Sequence, residues 1–322
     1  MAHAAQTPAN LRDLRFHYEP LLSPHPTTPV ATQFAGFKFS FPLWISSMTG
    51  GAAHARALNS TMARACAEFD LGMGLGSCRP LLEDENTLPD FNVRSLMPGR
   101  PLYANLGIAQ IEQLAKSKEL DRVHRMVEKL KADGLIIHVN PLQEWFQPEG
   151  DRLSVSPLET ITRFVELAPY GVMVKEVGHG MGPASLKALM RLPLVAIEFG
   201  AFGGTNFSLL ELRRSTHDSR PPGLAYVGHS AQEMVGFVTA LQLSGEKFKC
   251  QNFIVSGGVS DSLQGHHLCG QLLRGEVLFG MAHGVLAAAR LGSEALSQFI
   301  TAQRDQYLLA LNYLRPLSQE NP

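Results

Sequence analysis

The chain has 322 residues, 45% hydrophobic and 18% charged, with 28 Lys+Arg against 29 Asp+Glu for a formal net charge of −1. That is the composition of a soluble globular protein with residues enough for a large core, and the balanced charge removes the basic footprint of a nucleic-acid binder. No apolar run approaches the ~18 residues of a membrane span, and the N-terminus MAHAAQTPANLRDLR lacks the apolar stretch of a signal peptide.

The first 42 residues, with Pro20, Pro24, Pro26 and Pro29, predict an extended arm that packs on the body of the protein or reaches across its mouth. From residue 43 to 322 short apolar runs recur: Leu43–Ser47, Leu71–Leu75, Leu102–Asn105, Leu135–Val139, Val172–Val174, Leu194–Ile197, Phe253–Val255 and Val277–Gly280. Continuous apolar runs of this length suit parallel strands buried on both faces. Helix-period segments lie between them, as in Leu58, Met62, Cys66 and Phe69, or Val123, Met126, Val127 and Leu130. Ser156-Pro157-Leu158-Glu159 and Ser230-Ala231-Gln232-Glu233 are capping boxes that open two more helices. Eight such units in order predict an α/β fold, a (β/α)8 TIM barrel with an N-terminal extended arm, rather than an open doubly wound sheet. The long interval after the sixth run holds the polar stretch Arg213 to Gly223, expected as an enlarged active-site loop, and a final helix from about Ser293 to Leu314 ends the pattern. Cys66, Cys78, Cys250 and Cys269 stand far apart with no C-x-x-C pair, as thiols of a reduced, cytoplasmic protein do.

Chemistry in a barrel collects behind the C-terminal ends of its strands. Polar residues follow seven of the eight runs, among them Ser77-Cys78-Arg79, Asn105, His138 to Glu144, Lys175 to Gly180 and Thr205-Asn206. Ser256-Gly257-Gly258 and Gly280-Met281-Ala282 stand where barrels commonly hold phosphate on backbone N–H groups, although tight turns alone account for such glycines equally well. The Gly72 to Gly76 run lacks dinucleotide spacing and reads as close packing. Lys175 could form a Schiff base, hold an anionic cofactor or pair with a carboxylate. The Asn140, Gln143 and Glu144 loop offers a carboxylate and two amides, suited to a hard cation with few protein ligands or, more simply, to solvent. Gly265-His266-His267-Leu268-Cys269 matches no zinc spacing and falls in a predicted helix.

From about Phe41 to Leu286 the chain resembles the type 2 isopentenyl-diphosphate isomerases, which are flavin-dependent barrel enzymes. The strings that carry the resemblance are Met48-Thr49-Gly50-Gly51, Gly76-Ser77-Cys78-Arg79, Ala104-Asn105-Leu106-Gly107, His138-Val139-Asn140-Pro141-Leu142-Gln143-Glu144, Val174-Lys175-Glu176-Val177-Gly178-His179-Gly180, Gly203-Gly204-Thr205 and Ser256-Gly257-Gly258. The resemblance implies FMN, active in its reduced form, with Mg2+, NADPH as flavin reductant and a small diphosphate substrate. It implies that Ser47, Met48, Thr49, Ser77, Asn105, Lys175 and Thr205 contact the flavin, and that Gly257, Gly258, Met281 and Ala282 hold its phosphate. Arg79, His138, Asn140 and Gln143 would face substrate; Gln143 and Glu144 would be catalytic, with Glu144 ligating Mg2+. Lys175 then becomes the counter-charge of the flavin's electron-rich edge. The implied reaction shifts a double bond between isopentenyl and dimethylallyl diphosphate, an isoprenoid-forming step, by adding one proton and removing another. No nucleic-acid or membrane partner is implied, and the family's habit is a homotetramer or larger.

The sequence also departs from the family. Where the family carries an Arg-Lys pair before a histidine to grip the diphosphate, alignment on His17 places Asp13 and Leu14; Arg12 and Arg15 stand beside them as substitutes. Gly-Gly-Thr-Ser becomes Gly203 to Asn206, and an Arg-Pro after the eighth strand becomes His283-Gly284. These departures define the alternative expectation, an FMN-dependent oxidoreductase or altered-substrate homologue on the same barrel.

Overall fold

Eight parallel strands close on themselves: β1 (Leu43–Ile45), β2 (Gly72–Gly74), β3 (Leu102–Gly107), β4 (Gly134–Val139), β5 (Gly171–Glu176), β6 (Ala196–Glu198), β7 (Phe253–Ser256) and β8 (Val277–Met281), with β8 pairing back onto β1. This computed structural model describes residues 7–27, 31–49, 55–214 and 221–317. The eight apolar runs are these eight strands, and the fold is a (β/α)8 barrel. Strand limits moved by a residue or two: β5 extends to Glu176, so Lys175 is a strand residue, and β6 begins at Ala196 and takes in Glu198.

The core explains the glycines of β2. A Cβ at Gly72 would press into the Trp44 ring at 2.6 Å, and one at Gly74 would meet the Ile136 side chain at 2.6 Å, so the run is close packing as expected. Helices lie between the strands with apolar stripes inward. In Asp121–Leu130 the residues Val123, Met126, Val127 and Leu130 are all buried, each such side chain contributing about 1.5–3 kcal/mol. Ser230 and Glu233 bond reciprocally as a full capping box at the start of Ala231–Leu243. At Ser156 only half of the box forms, because Glu159 pairs with Arg163. The last helix is Ser293–Tyr313. Cys66, Cys78 and Cys250 are buried free thiols, and burial pushes Cys78 up to about 12 and Cys250 up to about 11. No helix among the described residues is long and apolar enough to cross a membrane.

The arm is more ordered than an extended segment. Thr32–Phe34 and Phe37–Phe39 form an antiparallel hairpin turned by Ala35 and Gly36, at φ 51° and 82°, the left-handed pair a two-residue turn requires. Phe34, Phe39 and Phe41 are buried, and the Ala35 N–H donates to Glu276 at the start of β8 while Ser40 donates to the Asp70 carbonyl before β2. The hairpin therefore closes the N-terminal end of the barrel, opposite the mouth. Upstream, Phe16–Tyr18 pairs antiparallel with Leu314–Pro316. Pro29 lies outside the described residues.

Candidate active site

A cavity of about 670 Å3 opens at the C-terminal ends of β1 and β5 to β8. From β1 come Ser46, Ser47 and Met48; from β5, Lys175; from the turn after β6, Gly203, Gly204 and Thr205; after β7, Gly257 and Gly258; after β8, Met281 and Ala282. Thus eight of the eleven residues expected at a cofactor share one wall system. Gly257 and Gly258 have φ of 88° and 74°, and their backbone packs directly on Ala201 and Gly203; bare N–H groups in such a bend form an anion-binding concavity. Ser47 Oγ is buried without a hydrogen-bond partner, an orphan that a ligand in the cavity would satisfy. Thr49 turns away, donating to Asn59 Oδ1 at 2.6 Å. Gly50 and Gly51 lie outside the described residues.

A second cluster stands over β3 and β4. Asn105 Nδ2 donates to the Leu75 carbonyl at 3.0 Å, so its Oδ1 is the atom that faces His138 Nδ1 at 2.8 Å. His138 therefore carries its proton on Nδ1 and presents Nε2 as an acceptor. Burial, with Lys175 nearby, pulls this imidazole down to about 3, so it acts as a neutral group at physiological pH. An unfolded histidine binds its proton below about 6.5 and the folded one does not, so the chain loses stability as pH falls below 6.5. We expect the thermal midpoint to drop from pH 7 to pH 5, and to drop less in His138→Asn.

Gln143 and Glu144 were expected in a loop. Pro141 instead starts a short helix, Pro141–Phe146, because proline at the first helical position sacrifices no hydrogen bond. One turn brings the pair back over Asn140, whose Nδ2 donates to Gln143 Oε1 at 3.2 Å and Glu144 Oε1 at 3.1 Å. The other Glu144 oxygen accepts the Asp151 N–H at 2.9 Å. Asp151 in turn accepts from Gln110 and Gln113 and lies 3.7 Å from Arg79. Each oxygen of Glu144 keeps a free lone pair. Among the described residues no three His, Cys, Asp or Glu side chains gather as a metal site, so a cation here would take one carboxylate from the protein and the rest of its oxygens from elsewhere. Ser77 lies beside the cluster, its Oγ accepting from the Arg79 N–H at 3.4 Å.

The N-terminal candidates lie elsewhere. Arg12 is exposed, His17 is exposed in a strand opposite Arg315, and Arg15 is held by Asp13 at 2.6 Å. Arg15 lines a separate cavity of about 380 Å3 that shares Gly203, Gly257 and Gly258 with the first. His266 and His267 are ordinary helix residues packed on Phe16. The stretch after β6 contains the helix Phe207–Arg214 rather than only a loop, and residues 215–220 lie outside the described residues.

Sequence reasoning marked Ser46 and Ser256 only as polar strand ends and missed Glu198; together the three form a polar layer of the cavity. Ser46 Oγ donates to Glu198 Oε1 at 2.6 Å, and the other Glu198 oxygen is buried with no partner. A glutamate ending an apolar run was the available signal. It missed Asp151 too, which no periodicity marks.

No family model matches the chain. It is 35% identical over 274 residues to an isopentenyl-diphosphate delta-isomerase of a Synechococcus species, covering 84% of this chain and 76% of the relative. The enzyme of that name from Rickettsia akari is 32% identical over 271 residues, at the same coverage. Among solved structures, a flavocytochrome b2 variant with sulfite bound aligns with a TM-score of 0.62 at 15% identity, over 92% of this chain and 72% of that one. A mandelate oxidase variant with a monooxide FMN adduct aligns at 0.58 and 14% identity, over 92% and 82%. At such identities the structural likeness is one of fold.

Proposed function

Since the chain belongs to the isopentenyl-diphosphate delta-isomerase family, we propose that it interconverts isopentenyl and dimethylallyl diphosphate using reduced FMN and Mg2+. The observation that carries the reading is the meeting of Asn140, Gln143 and Glu144 on one helical turn, at the barrel mouth that also holds the glycine-lined cavity. That cavity fits FMN: its glycine bend suits the phosphate, the orphan Ser47 hydroxyl suits a polar ring edge, and Lys175 spends one donor on the Glu176 carbonyl at 3.0 Å and keeps two. Reduced FMN, when bound, supplies an electron-rich ring that offsets the cationic character of an alkene being protonated.

The chain's own groups do the rest. Arg79 brings the positive charge that meets the diphosphate oxygens, while neutral His138, with Nε2 as an acceptor, and Asn140, whose Nδ2 orients Gln143 and Glu144, line the substrate side without adding titrating charge. Glu144 would hold Mg2+, which would supply charge for a diphosphate and so help fix the carbon skeleton in one orientation. Gln143, with Oε1 engaged by Asn140, presents its amide N–H groups toward the substrate and orders the proton transfer there. Family membership also supports a cytoplasmic homotetramer or larger assembly and NADPH as reductant.

Anaerobic incubation of isopentenyl diphosphate in D2O with reduced FMN and Mg2+ tests the reading: deuterated dimethylallyl diphosphate is expected by NMR. Gln143→Ala lowers turnover about 10²-fold or more, the contribution of one proton-transfer group; unchanged turnover removes it from the catalytic set. One observation favours the second reading, an FMN-dependent oxidoreductase or altered-substrate homologue: Arg15 is engaged by Asp13 and lines the smaller cavity, away from Arg79. Steady NAD(P)H oxidation coupled to a second substrate, with no deuterium exchange, would establish it.

A further inference from the structure

We infer that Glu198 is the positioning residue of this site: its carboxylate is the counter-charge that keeps the Lys175 ammonium protonated and aimed into the cavity. Lys175 is the next-to-last residue of β5, in the barrel interior with 8% of its surface exposed, and Glu198 has 1%. The two residues are register partners on β5 and β6. A buried ammonium needs a carboxylate, since desolvating a lone charge costs several kcal/mol or drives it neutral.

Three titratable groups face Lys175 among the described residues: Glu176 on its own strand, His138 on β4 and Glu198 on β6. His138 is neutral. Glu176 is committed elsewhere, for its Oε2 accepts the backbone N–H groups of Gly178, His179 and Gly180 at 2.8, 2.6 and 2.8 Å. Its carboxylate is held at that turn, and of the two carboxylates it raises the Lys175 ammonium less than Glu198 does. Glu198 differs: Ser46 pins one oxygen, the Ser256 hydroxyl stands beside the carboxylate, no backbone N–H is bonded to it, and it lines the same cavity as Lys175. Burial raises the Glu198 acid and lowers the Lys175 ammonium, and the largest influence opposing burial at each is the other. The charges therefore stand or fall together. The consequence for cofactor binding rests on the flavin reading above, but the pairing itself does not.

The pairing is tested in the cofactor-free chain by the pH dependence of Lys175 acetylation with acetic anhydride, followed by mass spectrometry, because only the neutral amine reacts. In Glu198→Gln the midpoint is expected to fall by about one to three pH units, the effect of losing an adjacent opposite charge. Glu198→Asp, which keeps the charge, should recover most of that shift. An unchanged midpoint in Glu198→Gln overturns the inference. Where Glu198→Gln folds poorly, the double variant with Lys175→Met decides: a double variant more stable than the two single losses added together supports a coupled pair, and additive losses overturn it. Oxidised FMN titrated into the same proteins separates the two readings. A wild-type chain that takes up no FMN defeats the flavin reading while the acetylation result stands. FMN uptake whose loss at high pH begins at the same pH in wild type and Glu198→Gln defeats the positioning role alone.

Discussion

Replacing Glu144 by glutamine lowers turnover on isopentenyl diphosphate by about 10²-fold or more at limiting Mg2+, the scale of removing one preorganised charge from a reacting site. The structure explains why an amide cannot stand in. Glu144 Oε1 accepts from the Asn140 amide and Oε2 from the Asp151 N–H, so whichever way the new amide turns, its NH2 group meets a donor. The substitution thus loses the metal ligand and also disturbs Asn140, which shares its amide with Gln143. Raising Mg2+ should recover part of the rate, because the diphosphate brings its own ligands, while FMN affinity should stay within about twofold of wild type since no cavity wall is touched. A Glu144→Gln enzyme with the wild-type Mg2+ dependence would remove the metal from this carboxylate.

Why that helix sits where it does depends on contacts that no local pattern announces. Gly150 packs on the Glu144 carbonyl, where a Cβ would overlap the backbone, and Arg152 reaches over to bond that same carbonyl while its guanidinium covers the Trp145 ring at 4.5 Å. The His138 to Glu144 string was legible because chemistry at a barrel mouth follows the end of a strand. The brace that holds it, Gly150 to Arg152, was not, because its role is set by what it lies against. The same division runs through the whole chain. Strands buried on both faces leave continuous apolar runs, so all eight were legible to within a residue or two. The hairpin of Thr32 to Phe39 was hidden by its short strands, by Ala35 standing where a turn usually shows glycine or asparagine, and by a proline-rich neighbourhood that reads as extended chain. Glu198 was hidden for a different reason: hydropathy treats a charge as the end of a core strand, whereas here the barrel interior turns polar in its last layer, where Ser46, Lys175, Glu198 and Ser256 meet the cavity.

The departures near the N-terminus acquire a physical meaning in this frame. Arg15 does not drift as a free cation of a flexible arm. Its carbonyl accepts the Leu317 N–H, its own N–H donates to Asp13, and its neighbour Phe16 is wedged between His266 and His267. A guanidinium so tied, with Asp13 across it, presents less net charge to a diphosphate than the Arg-Lys pair implied by the resemblance. On the proposed reading, substrate grip would then fall more heavily on Arg79, itself shared between Glu83 at 2.8 Å and Asp151.

Gly257→Ala weakens FMN binding about tenfold or more and lowers the thermal midpoint of the cofactor-free chain, and it does so more than the same change one residue later. At Gly257 two penalties coincide. Its φ of 88° is a conformation that a side chain disfavours, and a Cβ there would overlap the Ala201 backbone N and O, atoms of the neighbouring strand-end turn that cannot swing aside. Strain of this kind costs about 1–3 kcal/mol before any relaxation. Relief requires the turn to move, and the backbone N–H groups that would face a phosphate move with it. At Gly258 the φ is similar, 74°, but a Cβ would stand 3.2 Å from Gly203 Cα, a gap that a shift of a few tenths of an ångström opens. The expected order in FMN affinity is therefore wild type, then Gly258→Ala, then Gly257→Ala, with the last weaker than wild type by about tenfold or more, as 1.4 kcal/mol per decade requires. Equal affinities for the two variants would mean that the phosphate does not lie on this bend, since only geometry at the bend distinguishes them.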